Sequence, residues 1–433
     1  MAETEILEPY QLSFSDLLLS SRNRSQWISK NVMDALGPTG PGLLCITGVL
    51  GSAFLRRKLL PMARKLALLD PDKRKLILME HHLGSDVPLK NPERDVSSFA
   101  MQLNYERTTY KSSLGKLWFD EAGSKLDLQE DDDDAFTNLG GAFKELGFCM
   151  RELGLSIARL CDREIGGGLL EESLLDSCTA KGRLIHYHSA ADKYALRESQ
   201  RRNQSGNRVS SKRRVQNAAE QELNRRNGAG LSGSHFNLWQ QWHYDYGIFT
   251  VLTDPMFLSP YSYQEFSLMS SHSYLQIYHP SKNKFYMVKT PQDSFLVQIG
   301  ESADILSKGK LRSTLHCVCK PEKLDHVSRE TFVVFLHPKW SQTFSVSEYT
   351  MEHLRSDEVV PRPDLQNIVP PLSSRLRDGM TFAEFSRETT KQYYGGNVEG
   401  KRNEPRGLVV KEIRLKGELG FVMCTSMLEP KQQ

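Results

Sequence analysis

The sequence lacks long apolar runs and a clear excess of charge of either sign. No stretch of 18 or more apolar residues occurs, and residues 1–21 lack a basic segment followed by an apolar core, so neither a membrane span nor a secretion signal is predicted. The 56 basic and 53 acidic residues leave a formal net charge of +3 over 433 residues, which gives the chain as a whole no attraction for nucleic acid or acidic membranes. We expect a cytoplasmic protein without a membrane partner.

Evenly paired cysteines are also absent. Seven cysteines are scattered along the chain, and an odd number without a secretion signal favours reduced thiols over a disulfide framework. Cys317 and Cys319 form a Cys-x-Cys pair, but no second pair follows at the spacing of a zinc site. We interpret these two residues as small apolar side chains of a buried strand rather than as metal ligands.

Residues 1–180 are predicted to form a mixed α/β region. The apolar run 42–49 follows a turn rich in glycine and proline and predicts a buried strand, which a helix follows. From Phe136 to Leu160 apolar residues recur at spacings of three and four, which predicts one long amphipathic helix over 135–164. The acidic run 130–134 before it can cap this helix, and its spacing lacks the alternating ligands of a calcium loop.

Residues 193–230 contain ten basic side chains separated by polar residues and glycine, with hardly any apolar ones. Such a segment cannot bury a core, so we predict a mobile surface insertion. The run Ser211-Lys-Arg-Arg214 could act as a nuclear-import or nucleic-acid patch, which leaves a nuclear location as the alternative to a cytoplasmic one. Flanking aromatic residues that would stack on bases are absent, so nucleic acid is not expected as a partner.

From about residue 235 the sequence consists of short β-rich runs separated by glycine and proline, which is typical of a barrel or sandwich. The predicted strands are Ile248–Leu252, Tyr274–Tyr278, Lys284–Val288, Phe295–Ile299, Thr314–Cys319 and Thr331–Leu336. We assign residues 181–345 to this core domain, which includes the basic insertion. Residues 346–433 are predicted to supply a C-terminal helix near 380–393 and a tail.

His243 and Asp245 are two residues apart, so on an extended chain both side chains project from one face and can share a metal ion. His316 lies further downstream in an alternating apolar run. Two imidazoles and one carboxylate on one side of a metal form the facial triad, which suits iron(II) and leaves positions open for a cosubstrate and O₂. The other histidines of this region are expected to be packed without a metal: His235, His272, His279 and His337.

The segment 243–254 resembles the H-x-D-x-G-x-x-T-x-L-x-x-D signature of the isopenicillin N synthase-like branch of 2-oxoglutarate/Fe(II)-dependent oxygenases, the plant-type dioxygenases. The stretch 295–316 is similar to that family's second signature, a strand, a glycine turn and a short helix before the distal histidine. The resemblance covers about residues 235–340. It implies a mainly β protein with flanking helices around a double-stranded β-helix, or jelly-roll, core. It also implies an enzyme that binds iron(II), O₂ and 2-oxoglutarate as cosubstrate.

The same resemblance assigns residues that bind the cosubstrate. The family holds 2-oxoglutarate with an Arg-x-Ser pair, and the matching residues are Arg329 and Thr331, where threonine keeps the hydroxyl group. The segment from Arg183 to Tyr187 is similar to the family's R-x-x-x-Y, which makes Tyr187 a further contact, although His188 replaces the usual proline. The implied reaction oxidises a C–H bond of a small-molecule substrate and releases succinate and CO₂.

Two alternatives stay open. The first is an oxidase of the same fold that uses ascorbate, or no keto acid, because the arginine pair does not by itself decide the cosubstrate. The second is a non-catalytic binding protein whose function lies in a nucleic-acid-binding segment 193–230. Neither the substrate nor the oligomeric state follows from the sequence, because one fold serves many chemistries.

Overall fold

The computed structural model describes residues 5–18, 22–106, 136–205, 237–260, 263–266, 272–321, 324–346, 349, 365 and 368–394. The strands in these ranges are β1 (Glu5–Leu7), β2 (Gln11–Ser13), β3 (Leu43–Thr47), β4 (Gly84–Ser85), β5 (Val96–Asn104), β6 (Thr179–Tyr187), β7 (Leu238–His243), β8 (Phe249–Thr253), β9 (Met256–Leu258), β10 (Leu275–His279), β11 (Lys284–Val288), β12 (Phe295–Ile299), β13 (His316–Cys319) and β14 (Ser328–Leu336). The helices are α1 (Phe14–Leu18), α2 (Arg22–Leu36), α3 (Ser52–Leu68), α4 (Pro71–Glu80), α5 (Leu139–Ile165), α6 (Leu169–Ser177), α7 (Ala190–Ser205), α8 (Glu301–Leu306), α9 (Leu372–Arg375) and α10 (Phe382–Tyr394).

The strands form two sheets that are mostly antiparallel. The smaller sheet has the order β1-β11-β10-β13-β7, and the larger has the order β2-β3-β12-β8-β14-β6-β5-β4, with β9 beside β14. Helices α3 and α5 pack on the larger sheet. Two facing sheets with helices outside confirm the predicted mainly β architecture with a jelly-roll core.

The side chains of the central strand β14 point alternately to two apolar cores, one on each face of the larger sheet. Phe332, Val334 and Leu336 belong to the apolar core under the helices, whereas Val333 belongs to the core between the two sheets. Because successive strand residues point to opposite faces, one strand supplies both cores. The inner face of β14 is therefore available to line a site between the sheets.

Several elements lie where the sequence predicts them. Helix α5 corresponds to the long helix predicted over 135–164, and α10 to the helix predicted near 380–393. The larger sheet is continuous across the predicted boundary at 181, which falls inside β6, and β5 pairs with β6 along its length. The acidic run 130–134 lies outside the described residues.

The basic segment differs from its prediction in its first part, because α7 continues through Ser205. Ser189 and Asp192 cap the start of this helix, with the Ser189 N–H donating to the Asp192 carboxylate at 2.9 Å and the Asp192 N–H donating to the Ser189 hydroxyl at 3.1 Å. Good helix formers such as alanine, arginine, glutamate and glutamine then continue it. Residues 206–230, which include Ser211-Lys-Arg-Arg214, lie outside the described residues. None of the helices in the described ranges is long and apolar enough to cross a membrane.

Candidate metal centre

His243, Asp245 and His316 meet at one edge of the smaller sheet. His243 ends β7 and lies directly opposite His316, the first residue of β13, while Asp245 follows in the loop after β7. Asp245 Oδ1 lies 3.8 Å from His243 Nε2, and Asp245 Oδ2 lies 3.9 Å from His316 Nε2. One donor atom from each of the three residues lies within 4.8 Å of the others. The structure thus brings together the three residues that the sequence nominates as metal ligands.

Backbone carbonyl groups orient both imidazole rings. His243 Nδ1 donates to the Gln241 carbonyl oxygen at 2.7 Å, and His316 Nδ1 donates to the Thr314 carbonyl oxygen at 2.9 Å. With the proton on Nδ1, the Nε2 lone pair of each ring is directed to the shared space beside Asp245. This is the tautomer that a histidine needs to bind a metal through Nε2.

The protonation states of two of these groups suit metal binding. Burial, together with the neighbouring His316, lowers the pKa of His243 to about 4, although Asp245 opposes the shift. Burial would raise the pKa of Asp245, but His316, His243 and the Thr250 hydroxyl lower it below its usual value. At neutral pH His243 is therefore neutral and Asp245 is ionised, as metal ligands must be.

The loop that carries Asp245 is held from both sides. The Thr250 hydroxyl of β8 donates to Asp245 Oδ2 at 2.6 Å, and the Glu301 N–H at the start of α8 donates to the Asp245 carbonyl oxygen at 2.8 Å. A Cβ at Gly300 would overlap the carbonyl oxygen of Gly247, so the close approach of the two loops requires glycine. Thr250 of the first signature stretch and Gly300 of the second thus help to position the Asp245 carboxylate.

Gln240 forms a hydrogen bond with the ring nitrogen, Nε2, through which His243 would bind a metal. Its Nε2 donates to His243 Nε2 at 2.9 Å, and its Oε1 accepts from the Tyr187 hydroxyl at 3.0 Å. A metal bound to His243 therefore requires the Gln240 amide to turn away. The Tyr187 hydroxyl then becomes free to donate to another acceptor in the same space.

A cavity of about 390 Å³ contains this centre. Its wall on the larger sheet is formed by the inner faces of β14 and β6, whose residues alternate with those that face the helices. From β14 these are Arg329, Thr331, Val333 and Phe335, and from β6 they are Lys181, Arg183, Ile185 and Tyr187. Arg329 is paired with Tyr187 in the antiparallel register, so the three residues assigned to the cosubstrate line the same cavity as the three candidate ligands.

Arg329 is a buried cation that faces this cavity. The side chain is 3% exposed, its Nε donates to the Ser273 carbonyl oxygen at 3.1 Å, and its guanidinium lies 5.2 Å from the centre of the Tyr187 ring. Within the described ranges no carboxylate forms an ion pair with it, and burial lowers its pKa. Thr331 Oγ1 lies 3.4 Å from the Thr253 hydroxyl. A buried guanidinium of this kind is suited to an anionic ligand, because an unpaired buried charge is costly.

Other residues of the site were not nominated from the sequence. Asp86 lines the cavity and is shared by Lys181 and Arg183. Helix α10 covers the cavity, and its Tyr393 hydroxyl accepts from the Tyr244 N–H at 3.2 Å. The spacing of two places Lys181, Arg183 and Tyr187 on one face of β6, but only the pairing of β6 with β14 brings that face to the cavity. The positions of Asp86 and Tyr393 likewise depend on long-range folding.

A second group with metal-ligand chemistry lies on the outer face of β6, formed by His186, His188 and Asp192. His186 Nδ1 lies 2.8 Å from Glu330, and Arg64 Nε donates to Asp192 at 2.9 Å. The two carboxylates already have cationic or hydrogen-bonding partners. We interpret this group as a buried polar network that attaches α7 to the sheet.

The packed histidines differ in their surroundings. His272 stacks edge-on against Tyr274, with ring centres 4.6 Å apart, and His279 packs against Tyr286 in a similar way. His337 lines the cavity and stacks on Tyr246, and burial lowers its pKa to about 3. His235 lies outside the described residues.

Comparison with known proteins gives one family match. A family model described as the 2OG-Fe(II) oxygenase superfamily matches residues 236–338. This match assigns residues 236–338 to the superfamily and does not select its plant-type branch. A search of curated proteins found no match.

Similar solved structures include a full-length Neurospora crassa protein in complex with alpha-KG, which is 15% identical with a TM-score of 0.53 over 90% of this chain and 98% of that chain. The same Neurospora protein with alpha-KG and 5-formyluracil is 14% identical, with a TM-score of 0.51 over 90% of this chain and 99% of that chain. Rice dioxygenase for auxin oxidation is 16% identical, with a TM-score of 0.48 over 87% of this chain and 98% of that chain. At these identities the two Neurospora structures establish a shared fold.

Proposed function

Since residues 236–338 form a domain of the 2OG-Fe(II) oxygenase superfamily, we propose that this protein uses iron(II), 2-oxoglutarate and O₂ to oxidise a C–H bond of a small molecule. One observation carries the proposal. A single cavity contains two oriented imidazoles beside a carboxylate and, on its opposite wall, a buried arginine without a carboxylate partner in the described ranges.

In this proposal His243, Asp245 and His316 hold the metal. Two histidines and one carboxylate suit iron(II) and leave coordination positions for other ligands. The bound iron would supply the activation of O₂ that couples conversion of 2-oxoglutarate into succinate and CO₂ to oxidation of the substrate.

The residues of the chain provide orientation and charge. The carbonyl groups of Gln241 and Thr314 hold the imidazole rings, and the Thr250 hydroxyl holds one oxygen of Asp245. Arg329 would bind the distal carboxylate of 2-oxoglutarate through paired hydrogen bonds, and the Thr331 hydroxyl would add another.

Tyr187 is proposed as a further contact to the keto acid. Its hydroxyl donates to the Gln240 side-chain oxygen at 3.0 Å. When Gln240 turns away from His243, the Tyr187 hydroxyl can donate to an oxygen of the cosubstrate instead. The basic segment 193–230 has no part in this proposal, and we do not expect nucleic acid as the substrate.

An anaerobic titration tests the proposal. Purified protein is titrated with iron(II) and then with 2-oxoglutarate by calorimetry, exposed to O₂, and analysed for succinate. We expect one iron site, 2-oxoglutarate binding that depends on metal, and succinate formation. Turnover with ascorbate alone would instead favour an oxidase that uses no keto acid.

Variants test the ligand assignment. His243→Ala and Asp245→Ala should each lose iron and turnover together, because two ligands hold iron(II) poorly. His279→Ala is the control, since His279 is a buried histidine of the same sheet outside this cavity. Near-stoichiometric iron and undiminished succinate formation in both ligand variants would contradict the assignment.

A further inference from the structure

Two thiol groups lie side by side on the outer face of the smaller sheet. His316 and Val318 of β13 line the cavity, so the alternating residues Cys317 and Cys319 point to the opposite face of that sheet. The Sγ atoms of the two cysteines are 3.9 Å apart, and neither cysteine is in a disulfide. The two sulfur atoms are therefore in contact without a bond between them.

The two thiols differ in exposure. Cys317 is fully buried in an apolar cluster with Trp242 and Tyr278, whereas Cys319 ends β13 and is partly exposed. Gln276, opposite Cys317 on β10, holds both sulfur atoms, because its Oε1 accepts from Cys317 at 3.8 Å and from Cys319 at 3.7 Å. A small oxidant in solution can therefore reach Cys319, and Cys317 is already placed to react with the oxidised sulfur.

We propose that Cys317 and Cys319 form a reversible disulfide when the protein meets hydrogen peroxide, and that this disulfide weakens metal binding through His316. The first part of the inference stands on the two thiols alone. The second part rests on the proposed function, because it takes His316 as a metal ligand.

Peroxide supplies the oxidising equivalents, and the atoms balance. The Cys319 sulfur attacks one oxygen of H₂O₂ and breaks the O–O bond, which gives a sulfenic acid and one water. The Cys317 sulfur then attacks the sulfenic sulfur, forms the S–S bond and releases the hydroxyl group as a second water. Two thiols lose two electrons and two protons to one H₂O₂, which becomes two waters.

The disulfide shortens β13. Alternate Cα atoms on a strand are roughly 6.6 Å apart, whereas a disulfide most often joins Cα atoms about 5.5–6 Å apart. The strand already departs from regular pairing with β7, because the register shifts between Val318 and its neighbours His316 and Cys319. A disulfide that is strained by such a contraction is easily reduced, which makes the modification reversible.

His316 transmits this contraction to the metal centre. It is bonded directly to Cys317, begins β13, and lies opposite His243 on β7. Its Nδ1 donates to the Thr314 carbonyl oxygen of the same chain segment, so the direction of its ring depends on the local backbone. Contraction of β13 therefore moves the His316 ring relative to His243 and Asp245. By linkage, a bound metal should in turn make the two thiols harder to oxidise.

Peptide mass spectrometry tests the disulfide. The full-length protein, without added metal, is treated with H₂O₂, alkylated and digested with trypsin. Both cysteines remain in the peptide 313–323, because proline follows Lys320. We expect this peptide to lose the mass of two hydrogen atoms, to escape alkylation, and to regain both thiols with dithiothreitol. A peptide that stays fully alkylated, or that carries only sulfinic or sulfonic acid, overturns the inference.

Calorimetric titration with Mn(II), before and after peroxide, tests the coupling. Oxidation should raise the Kd for Mn(II) by about tenfold or more, as for the loss of a contact that orients a metal ligand, and dithiothreitol should restore it. Cys319→Ser should bind Mn(II) as the untreated wild type does and lose the response to peroxide. Cys178→Ser is the control, because Cys178 is another partly exposed thiol but follows α6, away from both sheets, and it should respond as the wild type does.

The outcomes separate this inference from the proposed function. An unchanged Kd for Mn(II) in the oxidised wild type, or a response to peroxide that persists in Cys319→Ser, overturns the coupling. If the untreated protein does not bind Mn(II), the proposed function fails and the coupling fails with it. The peptide measurement then still decides whether the disulfide forms.

Discussion

Replacement of Arg329 by methionine should weaken 2-oxoglutarate binding without lowering the stability of the ligand-free protein. Replacement of an arginine with a structural role would lower that stability. Arg329 is 3% exposed and has a carbonyl group and an aromatic ring as its partners. Because its charge is buried without a carboxylate in the described ranges, its removal should leave the ligand-free protein no less stable than the wild type. Its removal should nevertheless weaken 2-oxoglutarate binding.

The size of the binding effect follows from the interaction lost. Hydrogen bonds to charged groups contribute about 1.5–3 kcal/mol, which corresponds to roughly 10- to 150-fold in Kd. In the wild type, 2-oxoglutarate at 100 times its Kd should stabilise the metal-loaded protein by about 2.7 kcal/mol. Thermal unfolding with and without 2-oxoglutarate should show this gain in the wild type, and Arg329→Met should lose about half of it at a tenfold weaker Kd and nearly all of it at a 150-fold weaker Kd.

Arg375 supplies the control. It is as deeply buried as Arg329 but forms an ion pair with Glu301, with nitrogen-to-oxygen distances of 2.5 and 2.8 Å. Arg375→Met leaves a buried carboxylate unpaired and should cost about 3–5 kcal/mol of stability. If Arg329→Met destabilised the ligand-free protein as much as Arg375→Met and kept its response to 2-oxoglutarate, the assignment of Arg329 would be wrong.

Three further predictions concern the surroundings of the site. Thr250→Val should lower metal affinity about 10- to 100-fold because Asp245 loses its orienting partner, and Thr250→Ser should restore it in a metal titration. Burial raises the pKa of Asp254 to about 6, so the folded state binds the proton more tightly and stability should fall as the pH rises from about 4 to 6. In Asp254→Asn the fall in the free energy of unfolding between these pH values should be smaller by about 1–3 kcal/mol, as measured by denaturant unfolding. An unchanged pH profile of stability would contradict the assignment to Asp254. Gly300→Ala should destabilise by about 1–3 kcal/mol through backbone overlap, whereas Gly141→Ala in α5, with open space around it, should cost nothing in the same assay.

The parts of the site that lie on one strand or one short segment could be predicted from the sequence. His243 and Asp245 are two residues apart, and the alternation of Arg329 with Thr331 places both in the cavity. Such pairs can be recognised from the sequence because side chains two residues apart on a strand point to the same face of the sheet. The family resemblance was also confirmed at the level of the superfamily.

The parts that depend on which strands become neighbours could not be predicted. Lys181 and Arg183 become cavity residues because β6 pairs with β14, although the two strands are far apart in sequence. Asp86 reaches them from the turn after β4, next to β5. No local pattern in the sequence predicts which strands pair. The helix over 193–205 was also missed, because this segment is polar and the helix is stabilised by capping and ion pairs rather than by apolar packing.

The ion pair of Arg375 with Glu301 connects the C-terminal part of the chain to the metal loop. The Glu301 carboxylate accepts a hydrogen bond from the Arg375 guanidinium, and the Glu301 backbone N–H donates to the carbonyl oxygen of Asp245. Detachment of α9 and α10 would therefore do more than open the cavity, because it would also release the helix end that supports a metal ligand. The C-terminal helices and the metal centre should unfold as one cooperative unit, so a protein trimmed before Arg375 is not a smaller version of this enzyme.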